Sequence, residues 1–181
     1  MKIIQKLICI DAGHGGKDNG AVYNQVLEDE SNLSISFMLD YELKLMGYNT
    51  IMTREKDIDV SLSKRVKDAN AAKADLFVSI HCDAWHNKTT SGMTVHRTPV
   101  SIEGTNCAES VADQLRLYFP DHRQRGPRSS KFYVLKYTGM PAILVECEFL
   151  SNIENCAFLD KPENQRRLAK AIAKGVNNYL L

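Results

Sequence analysis

No stretch of this 181-residue chain is long and apolar enough to cross a membrane, so a membrane-inserted protein is excluded as a reading. Charge of one sign is missing too. The formal net charge is +1, which leaves no broad basic face for nucleic acid and no acidic or basic tail. The cysteines form no framework: Cys9, Cys82, Cys107, Cys147 and Cys156 are odd in number, widely spaced and without a CxxC pair. That pattern fits free thiols in a reducing compartment. There is no internal repeat, low-complexity tract or linker, and 181 residues suit one domain spanning 1–181. The opening MKIIQKLICIDAG is interrupted by Gln5 and Lys6 and has no small-residue cleavage site. It reads as a first strand and not as an export signal, which predicts synthesis in the cytoplasm without a signal peptide.

What is present is an alternation of strand and helix signals. KLICID, YNTIMT, DLFVSIH, GMTVHRT, KFYVL and AILVE read as six strands. Between them, a helix is predicted from Glu30 to Met46, with Leu33, Phe37, Leu39, Leu43 and Met46 near helical spacing and Gly47 as its stop. SLSKRVKDANAAKA reads as a second helix capped by Ser61, with Val66 and Ala69 on its inner face. Gly104 to Tyr118 reads as a third, and PENQRRLAKAIAKGVNNYL as a closing helix with Pro162 near its start. The class expected is α/β: an open, twisted, mostly parallel sheet of about six strands in three layers, with helices on both faces.

The first strand runs into LICIDAGHGGKDNGA, where His14 stands among Gly13, Gly15 and Gly16. Glycine adds no packing and costs backbone order, so such a loop implies close approach to the backbone or an accessible histidine. His81 closes the DLFVSIH run and Glu146 closes AILVE. In open α/β sheets, sites gather beyond the carboxyl ends of strands. Three groups suited to metal or acid–base work therefore fall at one edge.

Phosphate-binding readings fail. The P-loop pattern needs glycine at 11 and Ser or Thr at 18, where Asp11 and Asp18 stand; the dinucleotide fingerprint also needs glycine at 18. A cysteine–histidine pair at Cys82 and His81 fails because neighbours on a strand point to opposite faces. A catalytic zinc set of two histidines and one carboxylate fits His14 and His81. The carboxylate is expected before the first helix, where Glu28, Asp29 and Glu30 are candidates that would otherwise simply complement a helix dipole.

Taken together, IDAGHGGKDNGA, LEDESNLSI, SLSKRV, ADLFVSIHCDA and MPAILVECEFLSN resemble the zinc-dependent N-acetylmuramoyl-L-alanine amidases of the type-3 family, cell-wall hydrolases of bacteria and phages. The likeness runs in order along nearly the whole chain. It implies one Zn2+ held by His14, Glu28 and His81, and catalysis by Glu146. Glu28 is chosen over Glu30 because the family's glutamate stands four residues before an asparagine, here Asn32. The implied reaction is hydrolysis of the amide joining N-acetylmuramic acid to L-alanine in peptidoglycan, with wall degradation or lysis as its result. The segment QRGPRSS before KFYVL is expected to be a substrate-side loop.

The resemblance further implies a single catalytic domain with no separate wall-binding domain. Without an export signal, the chain reads as a phage endolysin or an autolysin catalytic domain. A phage-encoded chain would need a holin-type release partner. One departure stands out: Glu148 occupies the position where the family has glycine. If the strand continues, Glu146 and Glu148 share a face and perturb one another; the alternative is that Glu148 points away at the strand end. Two rival classes remain. A related zinc peptidase or deacetylase would show a cationic pocket for a free C-terminus. A non-catalytic wall-binding module would lack a zinc ligand or Glu146.

Overall fold

The computed structural model describes residues 6–181. The first five residues, part of the segment weighed above as an export signal, lie outside the described residues. Strands β1 (Leu7–Ala12), β4 (Asn49–Met52), β5 (Leu76–Asp83), β6 (Met93–Arg97), β7 (Gln124–Ser129) and β8 (Ala142–Phe149) form one sheet in the order β4-β1-β5-β8-β6-β7. All neighbouring pairs are parallel except β6 with β8. The expected three-layer architecture is therefore present. β1 and β5 are almost wholly buried, as near-continuous apolar strands covered on both faces must be.

Helices α1 (Glu28–Leu45), α3 (Ile102–Tyr118) and α6 (Pro162–Leu180) cover one face, with α5 (Ile153–Leu159) packed between β8 and α6. Their core includes Ile35, Leu39, Leu43, Val111, Leu115, Leu168 and Ile172 against Ile8, Ile10, Val78, Ile80 and Val145. On the other face α2 (Leu62–Ala71) and α4 (Tyr133–Tyr137) enclose a smaller core of Cys9, Val66, Ala69, Phe77, Val134 and Leu144. Local chemistry sets several boundaries. Ser61 Oγ accepts from Lys64 N at 3.3 Å and caps α2. Pro162 opens α6. At the end of α1, Gly47 N donates to Lys44 O and Tyr48 N to Leu43 O, the paired bonds that close a helix at Gly47.

Four expectations need correction. First, KFYVL is not a strand: Tyr133–Tyr137 is the short helix α4, burying Val134 and Leu135. A run this short carries no readable period. Second, the sixth strand is β7, inside the segment expected to be a loop. Gly126 and Pro127 disguised it, but proline is tolerated at a sheet edge, where no ladder bond is lost. Third, α1 begins at Glu28 and not at Glu30, and α3 at Ile102 and not at Gly104. Fourth, Phe37 and Met46 of α1 are exposed; the buried stripe is Glu28, Asn32, Ile35, Leu39 and Leu43. A hairpin also precedes α1, with β2 (Val22–Tyr23) paired to β3 (Val26–Leu27) through Asn24 and Gln25, both at positive φ. Two consecutive left-handed residues are what a tight two-residue hairpin needs.

Candidate active site

The site lies at the carboxyl edge of β1, β5 and β8. β1 hands the chain to Gly13, whose N still donates to Ile80 O at 3.0 Å. A Cβ on Gly13 would sit 2.2 Å from the His81 ring, so only glycine lets that ring rest against the loop. Gly20 serves the other side. Its φ is +65°, and a Cβ there would meet Glu28 Oε2 at 2.5 Å and His14 Cδ2 at 2.8 Å. The glycines bring backbone and ligand-bearing side chains together.

Two buried arginines hold this loop from beneath. Arg54 donates to Ala12 O and Gly13 O at 2.9 Å each, and to Asp29 O at 2.7 Å. Arg65 donates to His14 O and to Asp11 Oδ1 at 2.7 Å each. The loop carbonyls thus turn inward to guanidinium groups while His14 turns outward. Burial alone would raise the Asp11 carboxyl. The Arg65 charge and hydrogen bonds from Thr53, Ser79 and Arg65 outweigh it and hold Asp11 below the usual carboxylate range.

His14, Glu28 and His81 converge: one donor atom from each lies within 4.8 Å of the others, so these residues could hold a metal ion. Glu28 Oε1 is 3.1 Å from His14 Nε2 and 3.1 Å from His81 Nδ1. Its Oε2 accepts from Ala21 N at 2.8 Å, and Oε1 also accepts from Cys82 N and from Asn32 Nδ2, one helical turn along α1. Burial opposes the Glu28 charge, but the hydrogen bonds from the two imidazoles overcome it and keep the carboxyl well below its ordinary value. The same contacts raise His14 to about 9, Glu28 contributing most. Asp29 and Glu30 stand outside the group. Asp29 is buried beside Arg54, and Glu30 is exposed.

Glu146 is the register partner of His81 across β5 and β8. Its Oε2 is shielded from solvent and has no hydrogen-bond partner. Burial, then the nearby Asp83 and Glu28 carboxylates, push its carboxyl well above the ordinary range. A cavity of about 390 Å³ opens here, lined by His14, His81 and Glu146 with Val60, Phe132 and Val134 on its apolar walls.

Glu148 does not share this face. The β5–β8 pairing runs His81 to Glu146 and then Asp83 to Phe149, so β8 carries an extra residue at that point. The irregularity turns Glu148 into a separate buried cluster. It accepts from Gly92 N at 2.6 Å and Asn155 Nδ2 at 2.8 Å, and meets His122 Nδ1 at 3.0 Å. Cys82 lies buried in the core with its thiol raised far above its usual value by burial, away from any nucleophilic role.

Sequence reasoning missed Asp18, whose Oδ2 meets His14 Nδ1 at 2.8 Å. Histidines that bind metal usually donate their second ring nitrogen to such a carboxylate. An acid four residues after a loop histidine was the available signal. It also missed Arg54 and Arg65, which look like ordinary surface residues in the sequence.

The fold and this edge define a class: an open α/β domain able to hold a divalent metal beside a shielded carboxylate. Residues 8–178 match the N-acetylmuramoyl-L-alanine amidase family, and the chain belongs to it. The protein YqiI of Bacillus subtilis (strain 168), described as uncharacterized, is 37% identical over 176 residues, covering 96% of this chain and 84% of its own length. The N-acetylmuramoyl-L-alanine amidase LytC of the same strain is 34% identical over 98% of this chain, which spans only 36% of LytC. Among solved structures, the amidase AmiC2 of Nostoc punctiforme superposes with a TM-score of 0.92 at 35% identity, covering 97% of both chains.

Proposed function

We propose that this chain is a zinc-dependent amidase that hydrolyses the bond between the lactyl group of N-acetylmuramic acid and L-alanine in bacterial peptidoglycan. The observation that carries the reading is the convergence of His14, Glu28 and His81 beside the unpartnered Glu146 carboxylate, in a chain of this family. The donor set fits the metal. Two imidazoles and one carboxylate are a common catalytic zinc set, and Asp18 and Ala21 N orient two of the three groups from behind. One zinc ion per chain would be held by His14, Glu28 and His81.

Zinc bound there would polarise the scissile carbonyl and make water acidic near neutral pH. The protein's own part is positioning and proton transfer. Glu146 takes a proton from the attacking water and delivers it to the nitrogen of the leaving L-alanine. Its carboxyl, poorly solvated and with its proton affinity raised by burial, suits a group that takes up a proton and passes it on. β5 and β8 hold it at a fixed distance from His81. The open glycine loop leaves His14 at an uncovered edge that a bulky wall polymer can reach. Among the described residues no helix is long and apolar enough to cross a membrane.

The test is metal analysis combined with mass spectrometry of digested peptidoglycan. The expected result is one zinc per chain and release of intact stem peptides with free L-alanine amino ends. Release of C-terminal residues, or of acetate, would instead identify a peptidase or a deacetylase.

A further inference from the structure

A second concavity, sharing no lining residue with the cavity already described, reaches the site through Ala21. It measures about 480 Å³ and is lined by the β2 strand and the segment following β5. Trp85, the chain's single tryptophan, is 54% exposed there, and Val22 is 56% exposed. Tyr23 lies partly buried between them and the core, with Lys88 Nζ 5.3 Å from its ring centre. The His86 ring lies 4.8 Å from the Trp85 ring.

This surface is built on fixed backbone. Trp85 N donates to the buried Ser151 Oγ at 2.9 Å, and Tyr23 is held in the paired hairpin. It is also continuous with the reacting centre. Ala21, on its wall, donates its N–H to Glu28 Oε2, and Trp85 stands four residues beyond His81. One residue of its wall is thus bonded directly to a member of the cluster of His14, Glu28 and His81.

We propose that the Trp85–Tyr23 surface binds the glycan arm of the substrate, stacking an N-acetylated pyranose of the wall polymer. The inference rests on the amidase reading: the scissile amide has two arms, a sugar chain and a peptide, and a site in its middle needs a berth on either side. Aromatic faces carry negative quadrupole charge and attract the weakly positive C–H face of a sugar ring. His86, Lys88 and Ser151 supply polar groups around the rings for hydroxyl and acetamide partners. The walls of the other cavity, Val60, Phe132 and Val134, are aliphatic and aromatic side chains suited to the peptide arm.

Because Trp85 is the single tryptophan, its emission reports on this surface alone. The experiment titrates the chain with peptide-free strands of alternating N-acetylglucosamine and N-acetylmuramic acid. A saturable emission shift is expected, with none from free stem peptide. In parallel, Trp85→Ala should raise KM for wall fragments about tenfold, the scale of one aromatic contact, with kcat retained and KM restored in Trp85→Phe. A flat titration, a response to the peptide instead of the glycan, or an unchanged KM in Trp85→Ala overturns the proposal. If the wild-type chain cleaves no muramoyl–alanine amide, the amidase reading fails separately, and the titration still decides whether glycan binds here.

Discussion

His81 and Glu146 are register partners on the adjacent parallel strands β5 and β8, so one ladder position brings a candidate metal ligand and a candidate proton carrier to the same side of the sheet. Residues far apart in the chain need no loop to meet, because strand pairing sets their separation. Glu146→Gln keeps the shape of the side chain and removes its proton chemistry. It should leave zinc content and melting temperature unchanged while wall hydrolysis falls ~100-fold or more. A near-native rate would remove Glu146 from the mechanism.

His81→Ala removes a donor outright and should abolish both bound zinc and activity. Asp18→Asn is the finer probe, because Asp18 lies outside the candidate ligand group and holds the second ring nitrogen of His14. Losing an orienting carboxylate of this kind typically weakens metal affinity 10–100-fold. Competition with a chelator reads that change directly. Zinc affinity equal to wild type in Asp18→Asn would show that His14 needs no such support.

The Asp11–Arg65 pair, buried beneath the loop, makes a pH-dependent contribution whose sign is set by Asp11. Its folded-state carboxyl is held below the ordinary value, so the contribution is present above about pH 4 and is lost as pH falls through the folded value. Arg65→Met strands the Asp11 charge in the interior and should cost about 3–5 kcal/mol at neutral pH. Without its partner, burial raises Asp11 instead, so protonation relieves the variant. Urea unfolding at pH 7 and pH 5 should therefore show the gap between Arg65→Met and wild type narrowing in acid. A gap that is constant or wider would contradict this account.

Glu148→Gly introduces the residue that the resemblance implies at this position and tests the turn in β8. Glu148 contacts Gly92, His122 and Asn155, and none of the groups around Glu146. The substitution leaves buried donors without their acceptor, at about 1–3 kcal/mol each. Melting temperature should drop, while kcat and the pH profile at permissive temperature stay those of wild type. A shifted pH profile would mean that the two carboxylates communicate after all.

Much of the site could be read from the chain because its members sit where local patterns stop. His14, His81 and Glu146 each end or follow an apolar strand, and the rule that sites gather at carboxyl edges needs only strand order to apply. Glu28 was harder to choose. Glu28, Asp29 and Glu30 are chemically alike and adjacent, so apolar patterning does not separate them, and the choice of Glu28 rested on the resemblance, through its spacing of four residues to Asn32. The strands KLICID and DLFVSIH were legible because buried parallel strands need continuous apolar side chains. KFYVL misled because five residues do not reveal a period, and β7 stayed hidden because its edge position tolerates Gly126 and Pro127.

The amino-acid sequence by itself determined the layer architecture and the placing of His14, His81 and Glu146 at strand ends, since these follow from local apolar patterning and from where it breaks. Tertiary structure alone decided what surrounds them. It placed Asp18 behind His14, drew Arg54 and Arg65 under the loop carbonyls, and turned Glu148 out of the site through one extra residue in β8. Those outcomes depend on contacts between segments distant in sequence. A buried charge or carbonyl must find its partner wherever the fold brings one within hydrogen-bond reach.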